Sequence, residues 1–162
     1  MPDGLYDQDV LIWSEQQADL LRRLAAGERV NDSVDWTNVI EEVQDVGQSQ
    51  LRSCEGLLRQ AMLHLLKLHA WPASRSAGHW RQEAGTFLDD AALYFAPSMR
   101  QRIDLEALYT KALRRAASAT DDSGAALHLP NACPFTLDAL LSGEVSALAE
   151  SVRASPSESG LP

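Results

Sequence analysis

Between Leu51 and Trp71 the stretch LRSCEGLLRQAMLHLLKLHAW places apolar residues at steps of three and four. Leu51, Cys54, Leu58, Ala61, Leu65 and Leu68 form one stripe, the pattern of an amphipathic helix. Leu57, Met62 and Leu66 widen it, Leu63 falls outside it, and Arg52, Gly56, Gln60 and Lys67 make the polar strip. A helix apolar beyond one face needs cover on more than one side, which predicts a central helix at about 49–71. Before it, Val10, Trp13, Gln17, Leu20, Leu21 and Leu24 predict a helix from about Asp7 to Ala26, with Gly27 as its stop. Asp35 reads as the N-cap of a second helix that carries Val39, Ile40, Val43 and Val46 on one face. Gly47 ends or kinks that helix before the central one begins near Gln48 or Ser49.

After Pro72 the pattern resumes at about His79–Phe95, with Trp80, Ala84, Phe87, Leu88 and Ala91 inward. Pro97 and Ser98 mark a turn, and Ile103, Leu108, Tyr109, Ala112, Leu113 and Ala116 carry a further helix to about Ala119. TDDSGAALHLPNACPF reads as an irregular crossing with its apolar residues against the bundle. Thr136 caps a short last helix, LDALL, which Gly143 ends. The expectation is an all-α fold: a helical bundle of about five helices plus a short C-terminal helix, one domain over 1–150. Residues 151–162 lack the apolar side chains to offset ordering and read as a disordered tail.

Composition narrows the function classes. The 162 residues suit one domain with a real core, and no apolar run approaches the roughly 18 needed to span a bilayer. The first residues lack the basic and then apolar order of a signal peptide, and two cysteines make neither a disulfide framework nor a zinc site. The expected location is cytoplasmic, with no membrane association. The net charge of −9 disfavours nucleic acid as a partner. It is unevenly spread: residues 1–51 hold 11 acids and 3 bases, 52–120 hold 6 and 10, and 121–162 hold 6 and 1. The basic middle either forms a local patch or pairs with the acidic N-terminal helices.

Several motifs together resemble a known bacterial family, domain of unknown function 29. YDQDVLIW matches its aromatic-rich first helix. Asp35, Asn38, Glu41, Glu42 and Gly47 match a D-x-x-N-[LI]-x-E-E-[IV] stretch with its following glycine. Met62 to Lys67 matches an L-L-x-H-L-L-K core with His64 in register. Arg75 with Trp80 and Pro97 to Arg100 match two turns, and Cys133 to Leu141 (CPFTLDALL) the C-terminal segment. Leu68 departs from the pattern, standing where an aromatic is common. The resemblance covers about residues 5–145; it implies an all-helical fold and leaves the activity open.

Candidate chemistry is sparse. Arg59 and His64 share the R-x4-6-H spacing of small helical ribonucleases and toxins, where His acts as general acid–base and Arg stabilises a phosphoryl transition state. Five residues apart, they point roughly 140° from each other on a regular helix. His64 and His69 have the same separation, unlike the i, i+4 pair of a zinc-binding helix. The plainer reading of both is a packed histidine or a cationic helix end. Glu41, Glu42, Asp45, Glu83, Asp89 and Asp90 raise the idea of a carboxylate metal site. The chain nevertheless has no Glu-x-x-His pair, so no metal and no cofactor is assigned. The one place that gathers candidates is the end of the central helix and its turn: His64, His69, Arg75, His79 and Trp80, with Glu41 and Glu42 as possible neighbours.

The sequence thus leaves enzymatic status open. Its leading reading is a non-enzymatic protein-interaction or regulatory module with an unknown protein partner or self-association. A nuclease or toxin-like enzyme using Arg59 and His64, or a metal-dependent hydrolase using the acidic clusters, are the alternatives.

Overall fold

The computed structural model describes residues 4–119 and 128–156. Among them every regular element is helical, in agreement with the all-α expectation. The elements are α1 (Leu5–Gln8), α2 (Val10–Ala25), α3 (Trp36–Ala70), α4 (Ala77–Tyr94), α5 (Leu105–Ser118), α6 (Leu137–Ser142) and α7 (Val145–Ala154). Short 3-10 turns lie at Asn31–Ser33 and Pro97–Met99. By its contacts the chain divides into two compact units, Met1–Ser49 and Gln50–Pro162.

In the first unit, Asp9 splits the predicted first helix, because its side chain accepts the Ile12 N–H at 3.0 Å and so starts α2 afresh. Gly27 stops α2 as expected, at φ 89°. The Gly27 N–H reaches the Leu24 carbonyl and the Glu28 N–H the Arg23 carbonyl, both at 3.0 Å. That is the paired Schellman closure, which needs a left-handed residue at this position. Asp35 caps α3 as expected: its Oδ1 accepts the Asn38 N–H at 3.4 Å. Trp13, Val34 and Val39 form the unit's small core, with Leu5, Tyr6, Leu20 and Leu21 against it.

Two sequence expectations change here. The predicted second helix and the central helix at 49–71 are one element, α3, since Gly47 does not end it. A glycine stops a helix by taking positive φ, and among the described residues the positive-φ glycines are Gly4, Gly27 and Gly143, not Gly47. In a right-handed helix it costs about 1 kcal/mol relative to alanine, which neighbours of good propensity absorb. The second change concerns the face of Val39, Ile40, Val43 and Val46. Val39 is buried against Trp13 and Val34, but Ile40, Val43 and Val46 are 54%, 70% and 66% exposed.

The second unit holds the main core. Cys54, Leu58, Ala61, Met62, Leu65 and Leu66 of α3 are fully buried, as the stripe predicted. Ala84, Leu88 and Ala91 of α4 join them, as do Leu108, Tyr109, Ala112 and Ala116 of α5. Thr136 caps α6 by accepting the Ala139 N–H at 3.2 Å, and Gly143 ends it at φ 74°, both as expected. Of the irregular crossing, residues 120–127 lie outside the described residues; Pro130 and Phe135 are buried. The Tyr109 hydroxyl donates to the Pro130 carbonyl at 2.5 Å, tying this segment to α5.

The chain continues past the expected end. Val145, Leu148, Ala149 and Val152 repeat at i, i+3, i+4 and i+7, and α7 runs to Ala154 with Leu148 and Val152 about 1% exposed. The tail read as starting at residue 151 therefore begins with docked helix, because Val152 completes an apolar stripe. Residues 157–162 lie outside the described residues.

Candidate functional site

The structure gives the sequence candidates separate surroundings. The His64 ring nitrogen Nδ1 lies 2.8 Å from the Gln60 carbonyl, which only accepts, so Nδ1 carries the proton and donates. Its Nε2 stands 3.9 Å from a Glu83 carboxylate oxygen, and its ring lies 5.3 Å from that of Phe87. His64 is thus held by its own helix and by α4. Arg59 lines a different feature, an open groove of about 480 Å³ between α3 and α4. Arg52, Gly56, Gln60, Phe87, Asp90 and Tyr94 border that groove, which includes much of the polar strip seen in the sequence. Phe87 touches both surroundings, but His64 does not line the groove.

At the end of α3, Trp71 and Trp80 meet at 6.1 Å between ring centroids, and the Lys67 ammonium stands 5.8 Å from the Trp80 ring. Trp71 is 5% exposed, and its indole N–H is without a hydrogen-bond partner. Burial holds the His69 imidazole below its ordinary pKa, and the nearby Arg153 charge adds to this; a backbone hydrogen bond with His128 opposes it. Arg75 and His79 are exposed on the turn and the first residues of α4. Of the gathered candidates, Trp80 meets two residues outside the group, Trp71 and Lys67, while Arg75 and His79 are exposed.

Glu42 belongs to the first unit's own framework. The Tyr6 hydroxyl donates to Glu42 Oε1 at 2.6 Å, and this bond pushes the phenol up to about 12. Tyr6 packs edge-on to Trp13 at 4.8 Å, and Trp13 Nε1–H donates to Asp35 Oδ2 at 3.1 Å. Asp35 Oδ2 also accepts from the Asn38 amide at 2.7 Å, which with the Trp13 bond holds the carboxyl below its usual range. Gln17 Oε1 accepts the Asp35 N–H at 2.8 Å, while its buried amide nitrogen has no partner. Glu41 is exposed. Among the described residues no three of His, Cys, Asp or Glu are grouped so as to hold a metal ion. No described helix is long and apolar enough to cross a membrane.

The remaining motif residues are also engaged. Met99, the last residue of the second 3-10 turn, sits in the second unit's core, and Arg100 bridges to Asp138 at 2.8 Å while lying over the Phe95 ring. Cys54 and Cys133 are thiols rather than a disulfide, and burial pushes both up from the ordinary thiol value.

The family model described as Domain of unknown function DUF29 matches residues 5–145. The chain belongs to the DUF29 family. A solved structure from Rhodospirillum rubrum, described as an alpha-helical protein of unknown function, shares 28% identity with this DUF29 chain. The match covers 93% of this chain and 98% of that one, with a TM-score of 0.70. No curated protein matches. The DUF29 signature residues Asp35, Asn38 and Glu42 coincide with the Tyr6–Trp13–Asp35 network, so they fasten α1 and α2 to the start of α3.

The feature that sequence reasoning missed is the uncovered face of α3. Every residue from Val43 to Ser49 is exposed. The spacing of Ile40, Val43 and Val46 was visible, but spacing reports a shared face and not what covers it.

Proposed function

We propose that this DUF29 protein is a non-enzymatic helical interaction module whose docking surface is the exposed face of α3 in the first unit. One observation carries the reading: Ile40, Val43 and Val46 are apolar, helically spaced and 54%, 70% and 66% exposed. Scattered exposed apolar residues need no explanation, but a contiguous apolar face on a rigid helix marks an interaction site. Support comes also from the candidate catalytic groups, which are held in structural contacts: His64 by Gln60 and Glu83, Glu42 by Tyr6. The partner is a protein, either another chain or a second copy. Two free thiols suit work in the reducing cytoplasm.

The test is site-specific photocrosslinking in living cells. A benzophenone side chain at position 43 should give a discrete higher-mass adduct, and the same group at the exposed Gln101 should give none. A full-length chain that yields no adduct from positions 40, 43 or 46 would sink the reading.

A further inference from the structure

We propose that the groove between α3 and α4 in the second unit binds a small zwitterion with a flat ring, an aromatic amino acid. Arg59 holds its carboxylate and Asp90 its ammonium. The groove lies within one unit and shares no residue with Ile40, Val43 and Val46, so it stands or falls apart from the docking face.

In this unit α3 and α4 run antiparallel. The Cys54 thiol donates to the Ala91 carbonyl at 3.5 Å, and two to three turns further along α3 His64 meets Glu83 and Phe87. Arg59 is midway between Cys54 and His64, so it comes level with the stretch of α4 that holds Phe87 and Asp90. Gly56 forms part of the floor, and a Cβ built there meets nothing within 4 Å. The groove encloses about 480 Å³, within the range of roughly 300 to 1,000 Å³ in which small molecules are held.

Charge decides what the groove takes. Arg59 and Asp90 are both half-buried and stand on different helices. Among the described residues neither has a hydrogen-bond or ion-pair partner. The motif carboxylates differ, since Asp35 and Glu42 are taken up by Trp13, Asn38 and Tyr6. Half-burial removes water from a charge without supplying a counter-charge, and a ligand of opposite charge makes good that loss. An anion alone would bring like charge to Asp90, and a cation alone would bring it to Arg59. A zwitterion satisfies both. Packed helices lie about 8 to 10 Å apart, a span that two side chains and one amino acid bridge.

The α4 wall supplies the ring site. Phe87 and Tyr94 are seven residues apart, so both stand on one face of α4 and border the groove. The Phe87 ring packs against that of His64 at 5.3 Å, and Tyr94 is 40% exposed. Offset and edge-on contacts between rings favour a flat aromatic group here over an aliphatic chain.

Isothermal titration calorimetry of the full chain with L-phenylalanine is the test. The companion probes are 3-phenylpropionate, which lacks the ammonium, and phenethylamine, which lacks the carboxylate. The expected result is saturable binding of L-phenylalanine with a dissociation constant below about 1 mM, and at least about tenfold weaker binding of each companion. Asp90→Asn should remove the preference for L-phenylalanine over 3-phenylpropionate, and Arg59→Gln the preference over phenethylamine. Gly56→Leu should abolish binding by filling the floor, with helicity by circular dichroism equal to or above the parent's. No saturable binding by the parent up to about 10 mM, or a companion that binds as tightly as the amino acid, would overturn the proposal. So would variants that keep the parent's preferences, or adenosine monophosphate binding more tightly than L-phenylalanine, which would make the groove an anion site. None of these results bears on the crosslinking from positions 40, 43 and 46.

Discussion

Replacing Val152 with alanine measures whether the chain past residue 150 is part of the folded second unit. Val152 is about 1% exposed and shares the core with Leu148, also about 1% exposed. The substitution removes two buried methyl groups, worth about 0.8 kcal/mol each in transfer. Incomplete collapse around the space they leave adds to this, giving a loss of about 2 to 3 kcal/mol. For a chain of this size that is a fall of about 4 to 12 °C in melting temperature. Urea denaturation followed by circular dichroism gives the free energy directly. Val10→Ala is the matched control, since Val10 is 54% exposed and its loss should stay within about 0.5 kcal/mol. A chain stopped after Glu150 should lose at least as much as Val152→Ala. A loss below about 0.5 kcal/mol in Val152→Ala would show that α7 contributes nothing to the core and that the tail does begin at residue 151.

Three further outcomes follow from the same contacts. Because the hydrogen bond to Glu42 raises the Tyr6 phenol from 10.0 to about 12, its stabilisation is fully present below pH 10 and is lost as pH rises through about 12. Glu42→Gln should bring that phenol's ionisation, followed by ultraviolet absorbance, back toward 10; an unchanged titration would show the pair is not formed. The Asp35 carboxyl is depressed below 3.8, so its stabilisation is present above that pH and is lost as pH falls through the depressed value. Asp35→Asn should flatten this acid limb in the first unit, with Trp13 fluorescence as the probe, and an equally steep limb would count against the network. Gly143→Ala should cost about 1 to 2 kcal/mol in thermal denaturation, since φ is 74° and the added Cβ stands 3.1 Å from Asp89 Oδ1. A neutral result there would mean α6 can end without a left-handed residue.

Helix ends with strong local chemistry were legible in the sequence. Asp35, Gly27, Thr136 and Gly143 each act through groups within five residues, so reading them needs no knowledge of the fold. Gly47 was not legible, because a glycine that stops a helix and one that continues it differ only in φ. The α7 helix was legible in principle, but its stripe runs directly into SPSESG, whose polarity suggested disorder for the whole end. The candidate site was less legible than the fold. Tyr6 and Glu42 are 36 residues apart, and nothing local in either segment records their bond. The angular argument about Arg59 and His64 did carry over: one lines a groove, and the other is held by Gln60 and Glu83.

Several of the motif residues of this DUF29 chain have their polar groups consumed in building it. Asp35 spends both carboxylate oxygens on Asn38 and Trp13, Glu42 accepts from Tyr6, and Arg100 bridges to Asp138 across 38 residues. A carboxylate that must stay charged and fixed to hold two helices together is poorly placed to exchange protons with a substrate, because each exchange would release its partner. That part of the signature describes the scaffold. Function has to be sought at exposed side chains without such duties, and on α3 those include the apolar Ile40, Val43 and Val46. Its valines and its glycine lower the intrinsic helix propensity there, and Ile40, Val43 and Val46 are exposed among the described residues. A helix so composed gains most from a second helix laid against it, which is why the assembly state, rather than a catalytic assay, is the measurement that divides the readings.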